Sequence, residues 1–304
     1  MSTSLSGLSL RDLEYVEAVA ELKHFGRAAE RCHVSQPALS EQVRKLEAHL
    51  GVAIFERSSR RVAVTPQGAA LLVHVERILA EARHLLSFSR QGQGLCGVLN
   101  LGAIETLGPY YLPALLQLLR QELPAVSLRL TEARTATLAE RLRHGALDVV
   151  LTAGVPDATG LVQMPLFFEP FILAVPPGHA LGTLPRIRLD ALPLDGLLLL
   201  EDGHCLRDQA LALCGSTNAA TRHATSLETL WHMIAAGEGF SLLPALAIKS
   251  RPDLAALVTC RPLNETQAGR VVSLVWRQSD PREGQFRALA SMLASHAPPE
   301  VRPV

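Results

Sequence analysis

Polar and apolar positions along the first ~90 residues follow a helical period. Leu10, Leu13, Val16, Val19 and Ala20 form one apolar face, and Phe25, Ala28, Ala29 and Cys32 form a second, shorter one. After His33-Val34, the run Ser35-Gln36-Pro37 has a capping hydroxyl and a first-turn proline, which predicts a new helix. Leu39, Val43, Leu46 and Leu50 give that helix its inner face, and Gly51 predicts its end. Residues 52–65 hold two short β-prone runs around Arg57-Ser58-Ser59-Arg60-Arg61, the pattern of a hairpin wing. Thr65-Pro66 opens a long helix in which Leu72, Val75, Leu79, Ala82 and Leu86 alternate spacings of three and four. This is a two-heptad seam, expected to meet a partner helix.

Gln91-Gly92-Gln93-Gly94 is a candidate hinge, beyond which the periodicity changes. Strand-like runs at 98–101, 126–130 and 147–151 alternate with helix-like runs at 111–123 and 137–144, and Gly145 stops the latter. That alternation predicts α/β units on a largely parallel sheet. A strand at 171–175 opens a second lobe, and a late strand at 271–276 precedes a helix through Phe286. The expected boundaries are 8–67, 68–92 and 97–304. The last is divided into one lobe of about 97–169 with 270–304 and another of about 170–269.

A helix, a tight turn, a second helix and a wing form the arrangement that seats a helix in the major groove of double-stranded DNA. The residues at the start of the second helix, Ser35, Gln36, Pro37 and Ser40, with Arg44 one turn on, are candidates for base-edge contact. Arg57, Arg60 and Arg61 on the wing are candidates for phosphate or minor-groove contact. Charge adds nothing to this reading. The chain carries 29 Lys and Arg against 29 Asp and Glu, which excludes a general polycation. No apolar run approaches the ~20 residues of a membrane span. The Ser-rich N-terminus has no apolar signal core, so a cytoplasmic location is expected. Five cysteines without a CxxC pair disfavour a disulfide framework or zinc ribbon, and no metal or cofactor is expected.

Six blocks in the first 68 residues together resemble the LysR-type transcriptional regulators. They are Phe25-Gly26-Arg27-Ala28-Ala29-Glu30, Val34 to Ser40, Lys45-Leu46-Glu47, Leu50-Gly51, Phe55-Glu56-Arg57 and Thr65-Pro66-Gln67-Gly68. The resemblance implies a winged helix-turn-helix, a linker helix that dimerises, and a two-lobed α/β effector domain like the periplasmic binding proteins. It further implies a homo-oligomer, commonly a tetramer on tandem half-sites, with RNA polymerase as a partner.

Leu200 to Ala210 (LEDGHCLRDQA) with Cys214, Thr225 to Leu230, Leu107 to Pro113 and Leu242 to Leu246 resemble the peroxide-sensing branch of that family. A thiol reacts with peroxide as its thiolate, which neighbours or a helix N-terminus must favour over the free pKa of ~8.5. The resulting sulfenic acid can condense with a second thiol. The resemblance makes Cys205 the peroxidatic cysteine and Cys214 the resolving one. His204, Asp208, Thr106, Thr135 and Arg270 would position hydrogen peroxide, and a cellular thiol would reset the site. If 205–214 is helical, the two cysteines lie ~13 Å apart along the axis on opposite faces. A disulfide needs Cα atoms within ~7 Å, so it would require the helix to be remodelled.

Two features depart from the subfamily pattern: Glu105 stands where proline is common, and 215–224 is short. Cys32, Cys96 and Cys260 read as structural. The expectation is a regulator that controls oxidative-stress defence genes and is not an enzyme. The alternatives are a LysR-type regulator of a metabolite bound between the lobes, and a thiol peroxidase using Cys205. A periplasmic solute receptor shares the two-lobed form but would need an export signal.

Overall fold

The structure, a computed structural model, describes residues 5, 7–58, 61–88, 94–155, 157–215 and 222–304. The chain divides into two compact units, one formed by Met1–Gly92 with His144–Ala146 and the other by Gln93–Arg143 and Leu147–Val304.

In the first unit, α1 (Leu10–Leu22) begins with a reciprocal cap. The Ser9 hydroxyl accepts from the Asp12 amide, and the Asp12 carboxylate accepts from the Ser9 amide. α2 (Phe25–Arg31) leads through His33, at φ +55°, into α3 (Gln36–Leu50), which Ser35 caps and Gly51 ends at φ +67°. β1 (Phe55–Ser58) and β2 (Arg61–Val64) pair antiparallel as the wing. Glu47 of α3 holds the wing by accepting from the Ile54 and Phe55 amides at 2.8 and 3.1 Å. The Thr65 hydroxyl donates to the Ala53 carbonyl and caps the Gly68 amide at 2.8 Å, opening α4 (Pro66–Phe88). A side chain at Gly68 would meet the Ile54 carbonyl oxygen at 2.3 Å, so glycine permits this close approach.

The seam on α4 divides between two environments. Val75 and Leu79 are buried with Val16 and Val19 of α1 in the core of this unit, whereas Ile78, Leu85 and Leu86 are exposed. The expectation that Val75 and Leu79 meet a partner helix is thereby corrected: α1 of the same chain packs against α4 and covers them.

The second unit starts with β3 (Gly97–Ile104), α5 (Gly108–Glu122), β4 (Val126–Ala133), α6 (Thr135–Arg143) and β5 (Val149–Thr152). β4, β3 and β5 are parallel neighbours. The chain then runs through a single 15-residue strand, β6 (Leu161–Val175). Beyond it lie β7 (Leu199–Leu200), α7 (Cys205–Cys214), β8 (His223–Ala224), α8 (Leu227–Ala235), β9 (Ser241–Pro244), α9 (Ala245–Ser250), α10 (Pro252–Ala255) and β10 (Thr259–Pro262). It returns through β11 (Gly269–Arg277) to α11 (Glu283–Ser295).

β6 changes partners along its length. Residues 161–170 pair with β11, and 171–175 pair with β9 and β10. The sheet is therefore mixed, not largely parallel. Outgoing β6 and returning β11 are antiparallel, and β11 is antiparallel to β5 as well. The sequence shows only the second half of β6, because Gln163 and Pro165 break its apolar pattern. α5 begins at Gly108, three residues before its apolar period, with Pro109 in the first turn.

Candidate functional site

Ile104 and Ala133 face each other in the β3–β4 register, so the turns leaving these two strands are adjacent. One carries Glu105 and Thr106 into α5, and the other carries Arg134 and Thr135 into α6. A third turn, 201–204, leaves β7 and enters α7. Arg134 joins it to the second by donating to the Asp202 carbonyl at 3.0 Å and to the Glu201 carboxylate at 3.1 Å. Glu105 joins it to the first, with Oε2 3.6 Å from His204 Nδ1. Strand ends followed by helix N-termini are where open α/β sheets bind ligands and favour negative charge.

Cys205 is the first residue of α7 and Cys214 the last, and Gly215 ends the helix at φ +64°. Leu206 and Ala210, four apart, form the buried face of α7. Both thiols are partly buried against the core and both are free. Nine residues of α-helix separate them by about 13 Å along the axis. Burial pushes the Cys214 thiol up, as it does those of Cys32 and Cys260, which favours the neutral form at all three.

Arg270 and Glu169 face each other where β11 and β6 cross between the lobes, and both side chains are fully buried. Arg270 Nε donates to Glu169 Oε2 at 2.8 Å. Its other two nitrogens donate to the Thr106 hydroxyl and carbonyl, each at 2.9 Å. The second Glu169 oxygen accepts from the Leu246 amide at 3.0 Å. Thr106 is thus held as an acceptor, which leaves its hydroxyl proton to donate elsewhere.

Thr135 Oγ1 and His204 Nε2 are buried without a hydrogen-bond partner, on two of the three turns that meet here. Buried polar atoms are ordinarily satisfied, so this pair is a candidate for binding a small polar ligand. Burial pushes the His204 imidazole below its ordinary range, with Glu105 acting in the opposite direction.

The structure therefore brings Thr106 and Arg270 into one hydrogen-bonded group. Thr135, His204 and Cys205 lie on turns linked by Arg134 and Glu105. Asp208 is exposed on α7 and forms no hydrogen bond or ion pair with them among the described residues. Arg207 is engaged away from the thiol, with the Leu200 carbonyl, Asp202 and His223. Glu169 was missed by sequence reasoning, although one carboxylate inside the apolar run Leu166 to Val175 signals a buried cation opposite it. Nothing in the sequence signals Arg134, nor Gln209, which donates to the Ala153 carbonyl at 2.8 Å. Among the described residues, no group of His, Cys, Asp or Glu is arranged to hold a metal ion.

In the first unit, Ser35, Gln36 and Pro37 are exposed at the start of α3, with Ser40 partly buried. The Ser35 hydroxyl serves as the cap, accepting from the Ala38 amide at 3.4 Å. Arg44 is exposed and paired with Glu41 at 2.6 Å. Arg57 and Arg61 occupy strand positions on the wing, and Arg60 lies outside the described residues.

The chain belongs to the LysR family of bacterial transcriptional regulators. Residues 10–69 match the bacterial regulatory helix-turn-helix protein, lysR family, and residues 92–298 match the LysR substrate binding domain. Within that family it is closely related to OxyR. It is 41% identical over 293 residues to the DNA-binding transcriptional dual regulator OxyR of Escherichia coli strain K12, covering 94% of this chain and 95% of that one. It is equally similar, at 41%, to the hydrogen peroxide-inducible genes activator of Pectobacterium carotovorum, covering 95% and 97% of the two chains. The solved structure of a full-length OxyR variant from Pseudomonas aeruginosa matches with a TM-score of 0.74 and 38% identity, over 95% of this chain and 94% of that one. A hydrogen-peroxide-bound OxyR mutant of Corynebacterium glutamicum matches with a TM-score of 0.64 and 35% identity, over 95% and 94%.

Proposed function

We propose that this LysR-type regulator senses hydrogen peroxide through reversible formation of a Cys205–Cys214 disulfide and so controls oxidative-stress defence genes in the cytoplasm. The observation that carries the reading is α7, with one free cysteine at each end and the buried, unpartnered His204 Nε2 beside the first. The peroxide-linked names of its relatives agree with it.

The chemistry takes two steps. The Cys205 thiolate attacks one peroxide oxygen, an S–O bond forms as the O–O bond breaks, and hydroxide leaves, to be protonated to water. Sulfur is oxidised by two electrons to the sulfenic acid and the peroxide is reduced. Thr106, Thr135 and His204 supply polar atoms to orient HOOH, and Arg270 fixes Thr106. The Cys214 thiol then displaces water from the sulfenic acid. Closing the disulfide requires α7 to unwind, because its ends are too far apart to bridge. That change of shape is the signal. A cellular thiol reductant restores the helix.

In this reading α3 and the wing bind double-stranded promoter DNA, with Gln36, Ser40 and Arg44 at base edges and the wing arginines at phosphates. The exposed Ile78, Leu85 and Leu86 of α4 supply the dimer contact, and dimers pair into a tetramer that engages RNA polymerase. A thiol peroxidase also consumes one peroxide per oxidation, so what separates the sensor from it is low turnover and coupling of the oxidation to DNA contacts.

The test is a footprint of full-length protein on a promoter fragment obtained by in vitro selection, before and after peroxide. The footprint should shift for wild type and stay fixed for Cys205→Ser and Cys214→Ser. If both variants shift as wild type does, the cysteines are incidental and a metabolite-responsive regulator is the better reading.

A further inference from the structure

His204 stands immediately before Cys205, and its surroundings act on it unequally. Its side chain is 4% exposed, and its ring touches Glu105, whose side chain is 45% exposed. Four influences act on the ring's charge: burial and Arg134 oppose protonation, and Glu105 and Glu201 favour it. Arg134 and Glu201 are paired with each other at 3.1 Å, so they largely offset one another at the ring. Glu105 is then the group that counters burial. Glu105 also acts on a neighbouring acid: burial, then Glu105 and Glu228, push the Glu132 carboxyl up. At 3.6 Å the contact with Nδ1 is too long for a good hydrogen bond, so it is an electrostatic pairing that strengthens when the ring gains a proton.

The two ring nitrogens therefore have different roles available. Nδ1 faces the carboxylate, whereas Nε2 is buried without a partner next to the N-terminus of α7. We propose that Glu105 is a positioning residue for the oxidation of Cys205, orienting the His204 imidazole through Nδ1 and supporting its protonated form so that Nε2 can deliver a proton to the leaving oxygen. The inference rests on the peroxide-sensor reading and specifies the proton path of its first step. The Cys205 thiol gives its proton to His204, and the thiolate attacks one oxygen of HOOH. The S–O bond forms as the O–O bond breaks, and Nε2–H protonates the departing hydroxide, which leaves as water. The products are the Cys205 sulfenic acid and neutral His204, and no other co-reactant is needed.

The experiment uses the full-length chain with Cys214→Ser, so that oxidation stops at the sulfenic acid. The rate constant for Cys205 oxidation by limiting hydrogen peroxide is measured by mass mapping across the pH range in which histidine titrates. With Glu105 present, the rate should fall on the alkaline side as His204 loses its proton. Glu105→Gln removes the charge that favours imidazolium, so this limb should move to lower pH and the rate near neutrality should drop several-fold. Glu105→Asp should remain close to the parent. A Glu105→Gln profile that overlays the parent, or a drop that is uniform with pH, overturns the proposal. So does a Glu105→Asp variant as impaired as Glu105→Gln. If the parent itself does not react with peroxide, the sensor reading and this inference both fall, whereas a reactive parent with an unmoved Glu105→Gln profile removes only the inference.

Discussion

At the scale of single residues, the site depends on one fully buried ion pair. Arg270 spends its donors on Glu169 and Thr106, and Glu169 spends its second oxygen on the Leu246 amide, so neither charge is left uncompensated. Removing one member of such a pair leaves the other buried and unpaired, a loss of about 3–5 kcal/mol. Glu169→Gln should therefore lower stability by about 3 kcal/mol in urea unfolding of the second unit's transition. It should also slow Cys205 oxidation, because Thr106 loses its fixed position. A change below about 1 kcal/mol, the level of an exposed pair, would show that the pair is not buried as described. Much of this scale was legible in the sequence. Thr106 and Arg270, far apart in the chain, are both candidates through the family resemblance, and the structure joins them at 2.9 Å. Asp208 is a candidate too, but it falls on the exposed side of α7, because side-chain direction on a short helix depends on which face is packed.

At the scale of elements, the proposed switch makes α7 both a thiol carrier and a structure to be undone. Its buried face holds it through Leu206 and Ala210, and Gln209 ties it to the end of β5 by donating to the Ala153 carbonyl at 2.8 Å. The Gln209 carbonyl oxygen is buried without a partner, so this one donated bond is the side chain's whole polar contribution. A single neutral hydrogen bond contributes about 0.5–1.5 kcal/mol. Gln209→Ala should thus make the reduced helix easier to open and speed disulfide closure by about twofold to tenfold, with the sulfenic acid step unchanged. Stopped-flow measurement of the two phases distinguishes this from a general loss of structure, which would change both. Helices with clear starts were legible, because Ser35, Pro37 and Gly51 state the limits of α3 by local chemistry. β6 was only half legible. A strand that changes partners midway has no single alternation, and its role as the crossing between lobes is a property of the topology.

At the scale of the whole molecule, zero net charge means that DNA affinity must come from local placement of side chains, which the proposed reading assigns to α3 and the wing. The motifs of the first 68 residues were enough to identify the family, since several mark a cap, a helix end or a close approach, as Ser35, Gly51, Thr65 and Gly68 show. What they do not carry is the partition of α4. Whether an apolar seam meets its own chain or another depends on what else packs there, and α1 takes Val75 and Leu79. The central claim is that peroxide joins the two ends of α7. Trypsin cleavage at Arg188, Arg207 and Arg222 places Cys205 and Cys214 on separate peptides, 189–207 and 208–222. The direct measurement is non-reducing peptide mapping of the full-length protein after one equivalent of hydrogen peroxide. A single linked species of these two peptides is expected, absent in Cys205→Ser and reversed by a thiol reductant. Recovery of both peptides as free thiols, or linkage through Cys32, Cys96 or Cys260 instead, would contradict it.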